Sequence, residues 1–425
     1  GKALGTESII RKQNDFIIGR DGRVSSPQLF EWLSEGVIST GCNVTDIGIV
    51  PSPVFYHSTF NLNSSSGAVI TGSHNPADYN GFKILFNNNS TSSQEIQSIK
   101  KRIKEENFLS GIGNIKSLNV IESYIKEITN DIKLHRPLNI SIDCGNGAAG
   151  VVAERVYKDL GCEVEGLFCD LNGKFPNHHP DPSKPENVED LIKSVLKNNS
   201  EIGLAFDGDA DRLGVIAPSG EMIFPDMQMI LFSQHILKKN PNSNIVFDVK
   251  CSKLLEEAIQ NSNGTPIMCK TGHTFIKSMI RKKGAILGGE MSGHIFFNDR
   301  WPGFDDGVYA GARMLEILSY SEGEDIFKAL PKLVSTPEIN IETTDEEKFS
   351  IIDEFIKISN FKDGKIIDLD GIRVEFDNGW GLLRASNTSP VLVLRFEASS
   401  SEALSNIKER FKEILYRIEP SLSNF

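Results

Sequence analysis

Thr71-Gly72-Ser73-His74-Asn75-Pro76 is the stretch on which the reading turns, set between two apolar runs, Gly67-Ala68-Val69-Ile70 and Gly81-Phe82-Lys83-Ile84-Leu85-Phe86. Runs of that length and composition read as buried strands, which places Ser73 on the loop between them. Gly72 is expected to supply the sharp turn that pushes the Ser73 hydroxyl outward, and Pro76 to stiffen the exit. A serine hydroxyl is a poor nucleophile until a base or a metal activates it, and His74 and Lys83 are its nearest candidates in sequence. An ordinary turn uses the same residue types. The loops further along the chain have to decide between the two.

Working outward, 425 residues exceed one ordinary core and point to two to four domains. The formal charge of −12 argues against nonspecific nucleic-acid binding and against an anionic membrane surface. It also requires that an anionic substrate be held by a local basic cluster. The six cysteines lie at scattered positions with no Cys-x-x-Cys pair, as expected of reduced thiols in a cytoplasmic protein. No apolar run approaches membrane-spanning length and no secretory leader is read. Residues 3–10 look like the tail of a helix, and the natural N-terminus is expected to lie upstream of Gly1.

Residues 15–118 alternate strand and helix: 16–18 as strand, 29–38 as helix, 45–50 as strand, a polar loop at 87–93 and a surface helix at 95–104. That order implies a mostly parallel sheet covered on both faces. A second unit begins near Val120, with a strand at 140–143, Gly145-Asn146-Gly147, and a helix over 151–160. The glycine spacing does not complete a dinucleotide fingerprint, so a structural tight turn is expected there. His178 and His179, without partners at ligand spacing, read as loop residues. A third unit starts near Glu221, with a helix at 226–237, a strand at 245–248, a helix at 253–260 and a strand-helix pair through Lys277. From about Thr336 come short strands and a closing amphipathic helix over 401–418. Three successive units of similar length imply repetition of one architecture without visible repetition of residues.

Three more loops carry chemistry. The run 204–206 ends in Asp207-Gly208-Asp209-Ala210-Asp211-Arg212. Alternate aspartates on a tight loop repel unless a cation neutralises them, and hard oxygen donors suit Mg2+. A calcium helix-loop-helix site would need glycine in place of Arg212 and glutamate in place of Pro218, so that alternative fails. Gly289-Glu290-Met291-Ser292-Gly293-His294 lies between two buried runs. If its backbone stays extended, Glu290, Ser292 and His294 point the same way and can grip vicinal hydroxyls of a sugar; a polar hairpin turn would read similarly. Arg384-Ala385-Ser386-Asn387-Thr388-Ser389-Pro390 is a donor-rich loop suited to a phosphate, to which Arg395 on the next strand can return. A serine-rich turn with a surface arginine reads equally well. Lys250, at a further strand end, and His273, opening a helix, are candidates for touching phosphate or moving a proton, or are surface residues.

Taken together and in this order, the four loops closely resemble those of the α-D-phosphohexomutase superfamily, over nearly the whole chain. Gly289-Glu290-Met291-Ser292-Gly293-His294, Phe175-Pro176-Asn177-His178-His179-Pro180, Asp248-Val249-Lys250-Cys251 and Gly379-Trp380-Gly381 resemble its bacterial phosphomannomutase/phosphoglucomutase branch. Phosphoglucosamine mutases usually carry glutamine at the place of Met291. The resemblance implies an α/β protein of four domains around a central cleft: three similar α/β domains (1–118, 119–221, 222–332) and a smaller α+β C-terminal domain (333–425). It implies Ser73 as a phosphoserine, with Asp207, Asp209 and Asp211 holding one Mg2+ beside it, and Glu290, Ser292 and His294 as sugar contacts. Arg384, Ser386, Asn387 and Thr388 correspond to the loop for the non-reacting phosphate, and Arg212, Lys83, Lys250 and His273 to cleft positions that steer phosphate or assist proton transfer. The implied reaction interconverts 6-phospho and 1-phospho hexoses, mannose and glucose, through a glucose or mannose 1,6-bisphosphate, in a monomeric cytoplasmic enzyme. Family members usually begin with a tyrosine- and arginine-containing segment that reaches the cleft; Arg20 belongs to a strand end and is not taken as its substitute. Two rival readings use the same loops: a Mg2+-dependent sugar phosphatase, and a binding protein with an inert Ser73.

Overall fold

The structure, a computed structural model, describes residues 1–321, 326–387, 389–423 and 425. Its first sheet runs in the order Asn89–Ser90, Phe82–Phe86, Gly67–Ile70, Asp15–Arg20, Asn43–Ile49, Ile115–Ser117. The strand Asp15–Arg20 is central and parallel to both neighbours, and Gly67–Ile70 turns back antiparallel into Phe82–Phe86. Helices cover a parallel sheet on both faces, which is why Gly67–Ile70 is apolar throughout and wholly buried. Full burial of Val69 and Ile70 is worth about 2 kcal/mol each. The returning strand is less buried than its composition suggests, since Phe82 is exposed at its start.

The same topology recurs twice. In the second sheet Asn139–Asp143 is central between Glu163–Leu167 and Ile202–Phe206, and the latter turns back into Leu213–Ile216. In the third, Asn244–Asp248 is central between Thr265–Cys269 and Leu287–Gly289, which turns back into Ile295–Phe297. The serine loop, the acidic loop and the Glu290–His294 loop are therefore the same hairpin of one architecture, occurring three times. An aspartate also stands at the end of each central strand: Asp143 and Asp248 are the last residues of theirs, and Asp21 directly follows Arg20. Asp21 accepts the Arg23 N–H and Asp143 the Gly145 N–H of its own turn, and Asp248 accepts the Cys251 thiol. The Gly145-Asn146-Gly147 turn is structural: Gly145 and Asn146 adopt positive φ, and a Cβ on Gly147 would lie 2.8 Å from the Gly208 carbonyl oxygen.

One continuous apolar core runs through these three units. The last unit has its own core, built on an antiparallel sheet in which Gly379–Ala385 lies between Ile372–Phe376 and Val391–Ala398, under the helices Glu347–Ile358 and Ser401–Ile418. It meets the third unit through a small apolar contact of Val249 with Trp380 and Leu382. Buried polar links reinforce it: Arg373 donates to the Val249 and Cys251 carbonyls, and the Ser252 hydroxyl to Glu397. Among the described residues no helix is long and apolar enough to cross a membrane.

Candidate active site

The turn at the serine loop is made by Ser73 itself, whose φ of +49° is in the left-handed region that costs a non-glycine residue about 1 kcal/mol or more. Gly72 does something else. A Cβ there would lie 2.5 Å from the Arg23 guanidinium carbon, so the glycine makes room for that side chain. Arg23 is fully buried, paired with Asp21, and donates to the carbonyls of Ser73 (2.7 Å), Asn75 (2.8 Å), Pro76 and Tyr79 (3.0 Å). One guanidinium thus holds four carbonyls of the loop and maintains the strained serine. The Thr71 hydroxyl accepts the Ser73 N–H at 2.8 Å, and the Ser73 hydroxyl donates to Asp207 at 3.0 Å. His74 Nδ1 lies 3.2 Å from the same hydroxyl oxygen. Burial, then the nearby Arg212, push His74 down to about 3, so it stands there as a neutral imidazole.

Asp207, Asp209 and Asp211 are fully buried, with carboxylate oxygens within 4.8 Å of one another. Lys83 reaches both Asp209 (2.6 Å) and Asp211, and the Ser52 hydroxyl donates to Asp209. Burial alone would lower the Lys83 ammonium, but Asp209 and Asp211 outweigh it and hold it well above the usual lysine range. Burial, then Asp209 and Asp211, push Asp207 well above the usual carboxylate range. Three buried carboxylates against the Lys83 ammonium and the Arg212 guanidinium still exceed the positive charge, and Asp209 Oδ1 and Asp211 Oδ1 have no hydrogen-bond partner among the described residues. That donor set fits a hard divalent cation. A second carboxylate-imidazole group, Asp211, His294 and Asp305, is a poorer fit. There Asp305 already accepts from Lys277 (2.8 Å) and from His273 Nδ1 (3.1 Å).

The Glu290–His294 loop is a tight hairpin turn, not an extended segment: the Glu290 N–H donates to the His294 carbonyl and the Gly293 N–H to the Glu290 carbonyl. Its side chains consequently diverge and bridge two ends of the cleft. His294 goes to the acidic end, with Nδ1 facing Asp305 (3.2 Å) and Asp211 (3.4 Å) and Nε2 accepting from Arg212 at 3.1 Å. Glu290 goes the other way and accepts the Gly272 N–H at 2.5 Å; burial pushes its carboxyl up to about 6. Ser292, between them, is half-buried. From Gly272 the connection continues. The Thr271 N–H and Arg384 Nε both donate to Asp370, and the Asn387 amide donates to the Thr271 carbonyl.

At this far end the Arg384 Nη2 has no hydrogen-bond partner among the described residues, and Lys250 Nζ is 2.6 Å from Glu338. The Ser386 hydroxyl accepts the Ser389 N–H, and Thr388 lies outside the described residues. Arg395 does not return to the phosphate loop. Buried beside Trp380, it pairs with Asp226 at 3.2 Å and donates to the Lys250 carbonyl.

Four domain families match the chain, described as Phosphoglucomutase/phosphomannomutase alpha/beta/alpha domain I (residues 1–110), domain II (122–220), domain III (224–336) and C-terminal domain (338–414). The chain belongs to the phosphoglucomutase/phosphomannomutase family. As a family member it is a phosphohexomutase, an enzyme that interconverts hexose phosphates. It is 49% identical over 424 residues to a phosphomannomutase/phosphoglucomutase of Pseudomonas putida, spanning 99% of this chain and 92% of that protein. A phosphoglucomutase of Neisseria meningitidis is 46% identical over 420 residues, spanning 98% and 91%. The crystal structure of a phosphoglucomutase/phosphomannomutase family protein from Burkholderia thailandensis superposes with a TM-score of 0.94 at 43% identity, covering 99% of this chain and 92% of that one.

Several residues of this phosphohexomutase site were not singled out from the sequence: Arg23, Ser52, His74 as a neutral neighbour, Asp305 with Lys277, Glu338 and Asp370. Only the aspartate at each central-strand end signals such supports in the sequence, and it is visible once the three units are aligned. Arg20, by contrast, is occupied away from the serine loop, pairing with Asp46 at 2.7 Å and lying over Phe30.

Proposed function

We propose that the enzyme works through a phosphoserine at Ser73, which gives its phosphoryl group to a 1- or 6-phosphohexose and recovers the other phosphoryl from the resulting 1,6-bisphosphate. The observation that carries this reading is the Ser73 hydroxyl donating to Asp207 at 3.0 Å, at the edge of a three-carboxylate group with two unpartnered oxygens. Mg2+ held by Asp207, Asp209 and Asp211 beside the Ser73 oxygen would supply charge neutralisation to the transferred group when bound.

The chain's own residues divide the remaining work. Arg23 holds the serine loop in place, and Lys83 and Arg212 bring positive charge to the same end of the cleft. His273 donates Nδ1–H to Asp305, which leaves its other nitrogen able to take the proton of an attacking sugar hydroxyl. Glu290 and Ser292, on the bridging hairpin, are placed for the sugar hydroxyls. Lys250, Arg384, Ser386 and Asn387 form the end that takes the non-reacting phosphate. Two phosphate ends joined by a sugar-contacting bridge suit a bisphosphate that must bind in either orientation. A site gripping hydroxyls shared by the C2 epimers accepts both mannose and glucose phosphates.

The test is conversion of mannose and glucose 1-phosphates to their 6-phosphates by the wild-type chain and by Ser73→Ala. Loss of more than about 10³-fold in turnover supports the covalent route, and near-normal turnover of the variant ends it. Net release of inorganic phosphate, not stimulated by a trace of bisphosphate, would instead support a phosphatase.

A further inference from the structure

All six cysteines are free thiols, but two of them face each other: Cys144 Sγ and Cys169 Sγ are 3.4 Å apart. No other cysteine of the described residues hydrogen-bonds to a second sulfur. Cys144 is fully buried at the end of the central strand of the second sheet, and Cys169 is half-buried just past the neighbouring strand. The two segments are already tied: the Cys144 N–H donates to the Leu167 carbonyl, the Asn146 N–H to the Phe168 carbonyl and the Asn146 amide to the Asp170 carbonyl. Phe168, next to Cys169, has a φ of +51°, a left-handed conformation unfavourable for an aromatic residue. The other side of the Cys144 turn carries the acidic loop. There the Ala148 N–H donates to the Gly208 carbonyl at 2.9 Å, and Gly147 packs directly on Gly208.

We propose that Cys144 and Cys169 form a peroxide-oxidisable thiol pair whose disulfide displaces the turn supporting the acidic loop and so lowers turnover. The chemistry balances with hydrogen peroxide as oxidant. The half-buried Cys169 thiol attacks the peroxide O–O bond, giving a sulfenic acid and one water. Cys144 then attacks that sulfur, the S–O bond breaks, and the departing hydroxyl takes the Cys144 proton as a second water. Two thiols are oxidised by two electrons and one peroxide is reduced. A disulfide needs its sulfurs about 2.05 Å apart, so the two sulfurs must close from 3.4 Å, and the segments take up whatever part of that side-chain rotation does not. The Gly147–Gly208 packing has no slack to absorb that movement, since even a methyl group there would clash. The hydrogen bond with Cys169, then burial, push the Cys144 thiol up, in keeping with Cys169 as the first sulfur to react.

The decisive experiment treats the folded, reduced chain with hydrogen peroxide, reads mutase rate and intact mass at once, and then denatures the chain and alkylates the remaining thiols for the peptide map. The expected result is a loss of two hydrogens, about 2 Da, a linked Cys144–Cys169 peptide, and turnover lowered at least about tenfold and restored by dithiothreitol. Cys169→Ser should keep its basal turnover and lose its sensitivity to peroxide. Both cysteines alkylated after peroxide treatment of the folded chain would overturn the proposal, and a linked chain with full turnover would overturn its coupling to the acidic loop. Only the rate measurement rests on the mutase reading: a reduced chain without mutase activity counts against that reading, while the peptide map still judges the thiol pair.

Discussion

Replacing Gly208 by alanine tests the contact that holds nucleophile and acidic loop together. A Cβ on Gly208 would lie 2.3 Å from the Ser73 carbonyl oxygen and 3.3 Å from its carbonyl carbon, against an ordinary contact of 3.4 Å or more. Both atoms belong to backbones fixed elsewhere. Arg23 holds the Ser73 carbonyl, and Ala148 and Gly147 hold the Gly208 peptide. The two loops must therefore separate by about 1 Å, which stretches the 3.0 Å Ser73–Asp207 hydrogen bond beyond bonding range. A misplacement of about 1 Å at a reacting centre costs on the order of 10²-fold in rate, or about 2.7 kcal/mol of barrier. The assay is conversion of glucose 1-phosphate to glucose 6-phosphate, followed with a coupled dehydrogenase, beside a thermal melt of each variant. Gly208→Ala should fold, melt within a few degrees of the wild type, and turn over about 10²-fold more slowly. Turnover within about threefold of wild type in a folded variant would refute the reasoning, because it would mean the two loops need not touch.

Two other perturbations address the supports. Arg23→Met keeps side-chain volume but leaves the buried Asp21 unpaired and four loop carbonyls without their donor; a stability loss of about 3–5 kcal/mol is expected in denaturant unfolding, and an unchanged midpoint would count against the role given to Arg23. Burial pushes the Asp306 carboxyl up to about 7, so the folded chain binds that proton more tightly than the unfolded one. Its contribution to stability is full below about pH 4 and is lost as pH rises through about 7. Asp306→Asn keeps an oxygen for the Tyr309 N–H and has no charge to bury, so thermal melts across this range should show a flatter pH dependence than the wild type by a few kcal/mol. Parallel pH profiles would contradict the assignment.

The hairpin loops were legible in the sequence because each lies between apolar runs, and buried strands announce themselves by composition. The helix Ser401–Ile418 was legible for a related reason, its strong amphipathic period. Edge strands such as Asn89–Ser90 and Met222–Ile223, at two residues each, are too short to carry any period. Of the two readings of Glu290–His294 the hairpin turn holds, because only five residues separate the antiparallel partners Gly289 and Ile295, and strand pairing is not visible locally. Gly72 was assigned the bend that Ser73 makes. Its own role depends on Arg23, which is distant in sequence, and the same holds for Ser52 reaching Asp209. Residues that act by supporting a remote backbone leave no local pattern.

The account's central claim is that Ser73 carries the phosphoryl group, and mass measurement tests it directly. The chain is incubated with Mg2+ and a hexose 1,6-bisphosphate, stripped of small molecules, mapped by peptide mass, and then mixed with a hexose 1-phosphate. One added phosphoryl, about 80 Da, on the peptide containing Ser73, discharged on mixing, is the predicted result. An unmodified Ser73 in a chain that turns over at full rate would contradict it.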